Sequence, residues 1–257
     1  MAGPDNPFKR AIAEGRPQVG LWASLASNVV CNVLADSGFD WIVIDTEHAP
    51  NDLTTVLGQL QALGGGPATP FVRPAWNDQV LIKRLMDIGA HSLIVPFVQS
   101  REEAREAVRF TRYPPDGVRG VAVATRANRY GRDASYFRTV NDRVCVIAQI
   151  ETRSALDQLE DIASVDGIDG IFIGPSDLSA DLGHLGDPGS AATQELIGQA
   201  ATRCRAIGVP AGILTASVEA AHRYFELGYT FVAVGADVVI LRNGADALVK
   251  EFARYRR

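Results

Sequence analysis

Lysine is scarce in this chain: among 257 residues only Lys9, Lys83 and Lys250 are lysines. None stands at the end of an apolar run, where a Schiff-base amine would have to sit, so imine chemistry is disfavoured. Cysteine is scarce too. Cys31, Cys145 and Cys204 are odd in number, far apart and without CxxC spacing. That supports neither a disulfide framework nor a thiolate zinc site. The sequence lacks any run of about 18 apolar residues, so no membrane span is expected. The opening "MAGPDNPFKR" lacks the basic-then-apolar layout of a secretory signal, which points to the cytoplasm. With a net charge of −5, nothing pulls the molecule towards nucleic acid or an anionic membrane. No Gly-rich turn follows the first apolar run, and no GxSxG elbow appears.

What is present is a regular alternation of two periods. Short β-rich runs occur at 19–25, 41–45, 70–74, 92–98, 144–150, 170–174, 211–215 and 231–235. Most are continuously apolar, as expected for strands covered on both faces. Between them, 52–63, 78–88, 101–111, 153–163, 191–207 and 217–227 carry apolar residues at helical spacing. Asn51-Asp52, Asn77-Asp78 and Ser217 suit helix starts; Gly89, Gly208 and Gly228 suit helix ends. A last helix is expected at about 245–256. Eight strands alternating with helices over about 250 residues indicate one α/β domain, 1–257, folded as a (β/α)8 TIM barrel. The arginine-rich segment 113–143 is too long for a simple connection.

Catalytic groups of such barrels sit where strands end. The run "IVIDTEHAPND" (42–52) ends in Asp45, Glu47 and His48. Three ionisable groups at one strand end cost desolvation unless paired, wet or employed. Arg73 ends the third run, Gln149 and Glu151 the fifth, and "GPSDLS" with Gly174, Ser176 and Asp177 follows the sixth. All share one mouth. Cys145 and His91 fall at strand starts and read as structural; His184 and His222 read as surface groups. Glu151 and Asp177 are metal-ligand candidates, because two bare carboxylates in a shared space repel unless a cation separates them. Oxygen ligands favour Mg²⁺ or Mn²⁺. A salt bridge from Glu151 to Arg73 or Arg153 is the alternative. Asp45, three residues before His48, can hold the imidazole in one tautomer; a plain structural histidine is the alternative. Arg73 offers a planar fork for a carboxylate or enolate oxygen. The "GPSDLSADLG" turn can cradle an anion, although an ordinary turn uses similar residues.

At these residues the sequence resembles the HpcH/HpaI aldolase family. The matching stretches are "GLW" (20–22), "GFDWIVIDTEHAPND" (38–52), "VRPAWND" (72–78), "TRYPPDGVRGV" (111–121), "QIETRSAL" (149–156), "GIDGIFIGPSDLSADLG" (167–183), "GIL" (212–214) and "FVAVGAD" (231–237). Departures are few: Thr46, and the "GGGP" at 64–67. The resemblance implies a class II pyruvate aldolase. Such an enzyme cleaves 4-hydroxy-2-oxo acids, for instance 4-hydroxy-2-oxoheptanedioate, into pyruvate and an aldehyde such as succinic semialdehyde. It implies Glu151 and Asp177 as ligands of Mg²⁺, Mn²⁺ or Co²⁺, with no organic cofactor. Arg73 would stabilise the enolate and His48, supported by Asp45, would take the hydroxyl proton. Gln149, Gly174, Ser176 and Asp177 would hold the keto acid, with Trp22 and Leu214 beside the aldehyde. It also implies a homo-oligomer, a hexamer of three dimers, with the last helix exchanged between subunits. Asp87 is then a rival partner for His48 across an interface. Three other readings stand beside this one: oxaloacetate decarboxylation at the same site, a phosphate-binding isomerase using "GILTAS" and "VGAD", and a non-catalytic barrel. The arginines of 113–143 would attract a distal carboxylate if the segment reaches a mouth, its own or a neighbour's; a solvated or interface loop is the alternative.

Overall fold

The apolar runs form strands with both faces covered: every residue of the second, fourth, fifth and sixth strands is buried. The structure, a computed structural model, describes residues 6–256. Eight parallel strands close into a barrel in chain order. They are β1 (Gln18–Ala23), β2 (Trp41–Asp45), β3 (Thr69–Arg73), β4 (Ser92–Val95), β5 (Cys145–Ile150), β6 (Gly170–Ile173), β7 (Ala211–Leu214) and β8 (Phe231–Ala236). The helices are α1 (Pro7–Ala13), α2 (Asn28–Ala35), α3 (Leu53–Leu63), α4 (Gln79–Asp87), α5 (Arg101–Thr111) and α6 (Tyr136–Arg143). They continue with α7 (Arg153–Asp157), α8 (Leu159–Ala163), α9 (Pro175–Asp181), α10 (Ala191–Ala206), α11 (Val218–Leu227) and α12 (Asp237–Glu251). The expected caps are in place. Asp52, Asp78 and Ser217 each accept a backbone N–H of the helix they precede, which satisfies donors otherwise left unpaired.

Two apolar layers result. Branched side chains from the outer faces of the strands meet the helices. Inside the barrel, aromatics dominate: Trp22, Trp41, Phe71, Phe172 and Phe231. Space there is tight. A Cβ on Gly20 would lie 2.2 Å from Trp41 Cε2, so only glycine leaves room for the indole.

The floor of the barrel is closed by α1, a helix that the periodicity reading passes over. Its Phe8 enters from below, with its ring centroid 4.6 Å from Phe71, 5.5 Å from Phe231 and 5.6 Å from Trp41. The helix is moored by polar contacts. Asn6 donates to Ser92 Oγ and the Arg143 carbonyl, and Lys9 donates to the Val144 carbonyl and pairs with Asp169.

Three elements depart from expectation. The helix expected over 153–163 breaks at Gln158, whose amide reaches out to the Gln99 carbonyl. The last helix begins at Asp237, eight residues earlier than the periodicity indicates. The apolar run of β8 passes straight into it, and the Asp237 carboxylate marks the turn by accepting N–H groups from Ser24, Leu25 and Val238. Finally, the arginine-rich segment runs to the floor of the barrel and not to its own mouth. Arg126 donates to the carbonyls of Ile88 and Leu60, and Arg126, Arg129 and Arg132 surround a cavity with His91. This corrects the idea that these arginines serve the site within the same chain. Beyond Asp237, α12 stands free of the barrel, with Ile240, Leu241 and Leu248 exposed.

Candidate active site

At the C-terminal mouth the strand register decides which side chains meet. Asp45 and Arg73 are register partners at the ends of β2 and β3. The Arg73 fork closes on the Asp45 carboxylate, Nε to Oδ1 at 2.9 Å and Nη2 to Oδ2 at 2.7 Å. Its third nitrogen, Nη1, lies 2.8 Å from Glu47 Oε2. The guanidinium carbon stands 5.2 Å from the centre of the Trp22 ring, within cation–π range. Arg73 is therefore buried, saturated on one edge and fixed in orientation. Burial acts to raise the Asp45 carboxyl. The hydrogen bonds and charge of Arg73, with the backbone N–H groups of Glu47 and His48, overturn this and hold it below the usual carboxylate range.

Asp45 thus serves Arg73, not the imidazole that the three-residue spacing suggests. Its only contact with His48 is a long one, 3.5 Å, to the backbone N–H. The His48 side chain is 64% exposed, with Nε2 at 3.7 Å from Glu47 Oε2. Glu47, part of the sequence cluster but given no role by it, is the link between cation and imidazole. Burial pushes the Glu47 carboxyl up, only partly countered by Arg73, and the charges of Asp45 and Asp177 add to the rise. Asp87 lies at the end of α4, engaged by Nη2 of the fully buried Arg119 at 2.6 Å.

Across the mouth, Glu151 follows the last residue of β5 and is buried. Its Oε1 accepts the Phe97 N–H at 2.8 Å and its Oε2 the Gln149 amide at 2.6 Å. Burial, reinforced by the negative charges of Asp177 and Glu47, nevertheless pushes its carboxyl up to about 7. Asp177 sits in the first turn of α9, which starts where β6 ends. The N–H groups of Ser176 and Asp177 therefore have no intrahelical partners. A Cβ on Gly174 would lie 2.6 Å from Glu151 Oε2, so glycine makes the space this carboxylate occupies. Gln149 Oε1 is buried without a hydrogen-bond partner among the described residues. A hard divalent cation fits this donor set. It would neutralise carboxylates that now push against one another, and the donors are all oxygen. No group of three or more His, Cys, Asp or Glu side chains suited to a metal is found among the described residues. Trp22 on β1 and Leu214 at the end of β7 complete the rim. His91 falls at the opposite end, and His184 and His222 are exposed, as expected.

This constellation places four kinds of group, namely a pair of acids, an amide, a fixed guanidinium and an imidazole, around one barrel mouth. The family model for HpcH/HpaI aldolase/citrate lyase matches residues 18–244. The chain belongs to the HpcH/HpaI family. Among curated relatives, 4-hydroxy-2-oxo-heptane-1,7-dioate aldolase of Klebsiella pneumoniae is 53% identical, over 96% of this chain and 94% of its own. The Escherichia coli protein of that name is 52% identical, over 96% and 95%. Among solved structures, an HpcH/HpaI aldolase/citrate lyase family protein from Burkholderia cenocepacia is 38% identical. It superposes with a TM-score of 0.94 and covers 96% of this chain and 99% of its own. The barrel and its closure in chain order are thus those of the HpcH/HpaI family.

The residues that sequence reasoning missed are Glu47 as a bridge and Phe97 as a donor. The first was visible as an acid between two selected residues. The second left no trace, because a backbone N–H donates whatever side chain it carries.

Proposed function

We propose that this chain, acting as one barrel domain, is a divalent-metal-dependent class II pyruvate aldolase. It cleaves 4-hydroxy-2-oxo acids, among them 4-hydroxy-2-oxoheptanedioate, to pyruvate and an aldehyde. One observation carries the reading: two carboxylates that repel each other, Glu151 and Asp177, face a guanidinium already locked in place, Arg73.

Glu151 and Asp177 would hold the ion, Mg²⁺, Mn²⁺ or Co²⁺. Bound there, it supplies Lewis-acid stabilisation of the charge that grows on the keto oxygen. The chain's own residues do the rest. N–H groups of Ser176 and Asp177, and the Gln149 amide beside Gly174, bind the keto acid. Trp22 and Leu214 bound the aldehyde side. His48 takes the proton of the C4 hydroxyl as the C3–C4 bond breaks. The electron pair of that bond becomes the enolate, and Arg73 meets its oxygen with a guanidinium that Asp45 holds still; return of a proton to C3 then gives pyruvate. Preorganisation of this kind lowers the barrier because no dipole must turn during the reaction.

His48 is mostly exposed within one chain, and α12 carries unpartnered apolar residues. Both support a homo-oligomer, a hexamer, in which α12 crosses to a neighbour and Asp87 of another subunit backs His48.

The deciding experiment measures pyruvate release from 4-hydroxy-2-oxo acids that yield acidic, neutral and hydroxylated aldehydes. Oxaloacetate is run alongside, each with Mg²⁺, Mn²⁺, Co²⁺ or chelator. Metal-dependent cleavage, fastest for the acid that yields succinic semialdehyde, supports the reading. Turnover that persists in chelator, or with oxaloacetate alone, overturns it.

A further inference from the structure

Phe97 adopts φ 54°, the left-handed region that bulky residues avoid. Core packing does not impose it, since the residue is 37% exposed. The turn is fixed on both sides by strand-end contacts. The next residue, Val98, donates its N–H to the Gln149 carbonyl at 3.0 Å. Phe97 itself donates to Glu151 Oε1 at 2.8 Å. The unfavourable backbone angle is thus what aims one N–H at the carboxylate. The Phe97 ring lies stacked on Trp76, centroids 5.5 Å apart and planes 29° apart. Trp76 is itself 51% exposed and stands three residues after Arg73. Two large aromatics stacked in water at this spot brace a turn that is costly to hold.

We propose that Trp76 is a positioning residue for Glu151, acting through Phe97. Its ring pins the Phe97 turn so that the N–H stays on Oε1, which fixes the rotamer in which Glu151 meets a divalent ion. The inference rests on the reading of Glu151 as a metal ligand. Partners that orient a ligand carry part of its metal affinity. The same brace joins the end of β3, which carries Arg73, to the end of β4, beside Glu151. Trp76 then keeps the two halves of the site in a fixed relation.

The test is calorimetric titration of Mn²⁺ into the full-length, metal-stripped protein, with melting temperature and assembly mass recorded for each form. Trp76→Ala should weaken Mn²⁺ by roughly tenfold at unchanged melting temperature and mass, and Trp76→Phe should restore most of the loss. Phe97→Gly should also weaken it. Glycine adopts the turn without strain and keeps the N–H, so a loss there reports a turn that is no longer held in place. Wild-type affinity in Trp76→Ala or in Phe97→Gly overturns the proposal. So does a loss accompanied by a change in assembly mass, which would make the stack part of an interface. Glu151→Gln separates this from the metal reading: if it still binds Mn²⁺, Glu151 is no ligand. If it loses Mn²⁺ while Trp76→Ala does not, only the brace is wrong.

Discussion

Asp45 and Arg73 are side by side in the β2–β3 register, and the carboxylate receives the guanidinium on both oxygens. Two consequences follow from burying that pair. The charge on Arg73 cannot swing away; removing Asp45 leaves the guanidinium with Glu47 alone, and removing Arg73 leaves both acids without their cation. Asp45→Asn should therefore lower kcat for cleavage by roughly 10²-fold while leaving Mn²⁺ affinity intact. It should also destabilise the fold by about 3 kcal/mol, the scale for breaking a buried pair. Steady-state kinetics and urea unfolding check the two effects separately. Arg73→Lys, which keeps charge but loses the fork, should be as impaired in kcat.

Glu151→Gln and Asp177→Asn should each abolish turnover and metal binding together. The measurement is Mn²⁺ titration alongside pyruvate release. Ordinary turnover in either variant removes that residue from the metal site.

Gly174→Ala tests the same carboxylate from outside. The new Cβ would stand 2.6 Å from Glu151 Oε2 and 2.8 Å from its Cβ, too close for either to stay. Glu151 must shift, so Mn²⁺ affinity should fall by roughly tenfold or more. Circular dichroism of the metal-free protein should be unchanged, since the clash is with one side chain.

His91 offers a pH test remote from the proposed metal site. Burial, helped by the charges of Arg119, Arg143 and Arg126, pushes it down to about 4 from an ordinary 6.5. The folded state thus refuses a proton that the unfolded chain accepts. The stabilisation is complete above pH 6.5 and is lost as pH falls towards 4. A gap of this size is worth about 3 kcal/mol. Urea unfolding at pH 7 and pH 4.5 should show a fall in the wild type that is smaller in His91→Gln by about 2 kcal/mol, since pH 4.5 stops short of the folded-state value.

The exposed face of α12 predicts assembly. Leu241→Asp, placing a charge where a 62%-exposed apolar side chain now stands, should lower the mass of the species seen by light scattering. A double change with Ile240 should lower it further.

The barrel was legible because strands covered on both faces must be apolar throughout, a pattern no surface element shares. The positions of Arg73, Glu151 and Asp177 were legible for a related reason: an ionisable group that ends such a run can only lie at the rim. Pairing within the rim was not. Spacing along the chain ties Asp45 to His48, yet the shortest route between side chains runs across strands, and register is invisible in one strand alone. The start of α12 was hidden because "FVAVGADVVIL" (231–241) stays apolar as it passes from strand to helix. The direction of 113–143 was equally hidden, because arginine suits a floor and a mouth alike.

The Phe8 plug gives the barrel a sealed bottom. Above it Trp41, Phe71, Phe172 and Phe231 fill the interior, so the acids at the mouth are approached from that side. A substrate split there cannot send its halves out by separate exits, so whichever half sits nearer the solvent must depart before the one seated on the deeper acids. Traffic, and not only chemistry, would then set the order of events.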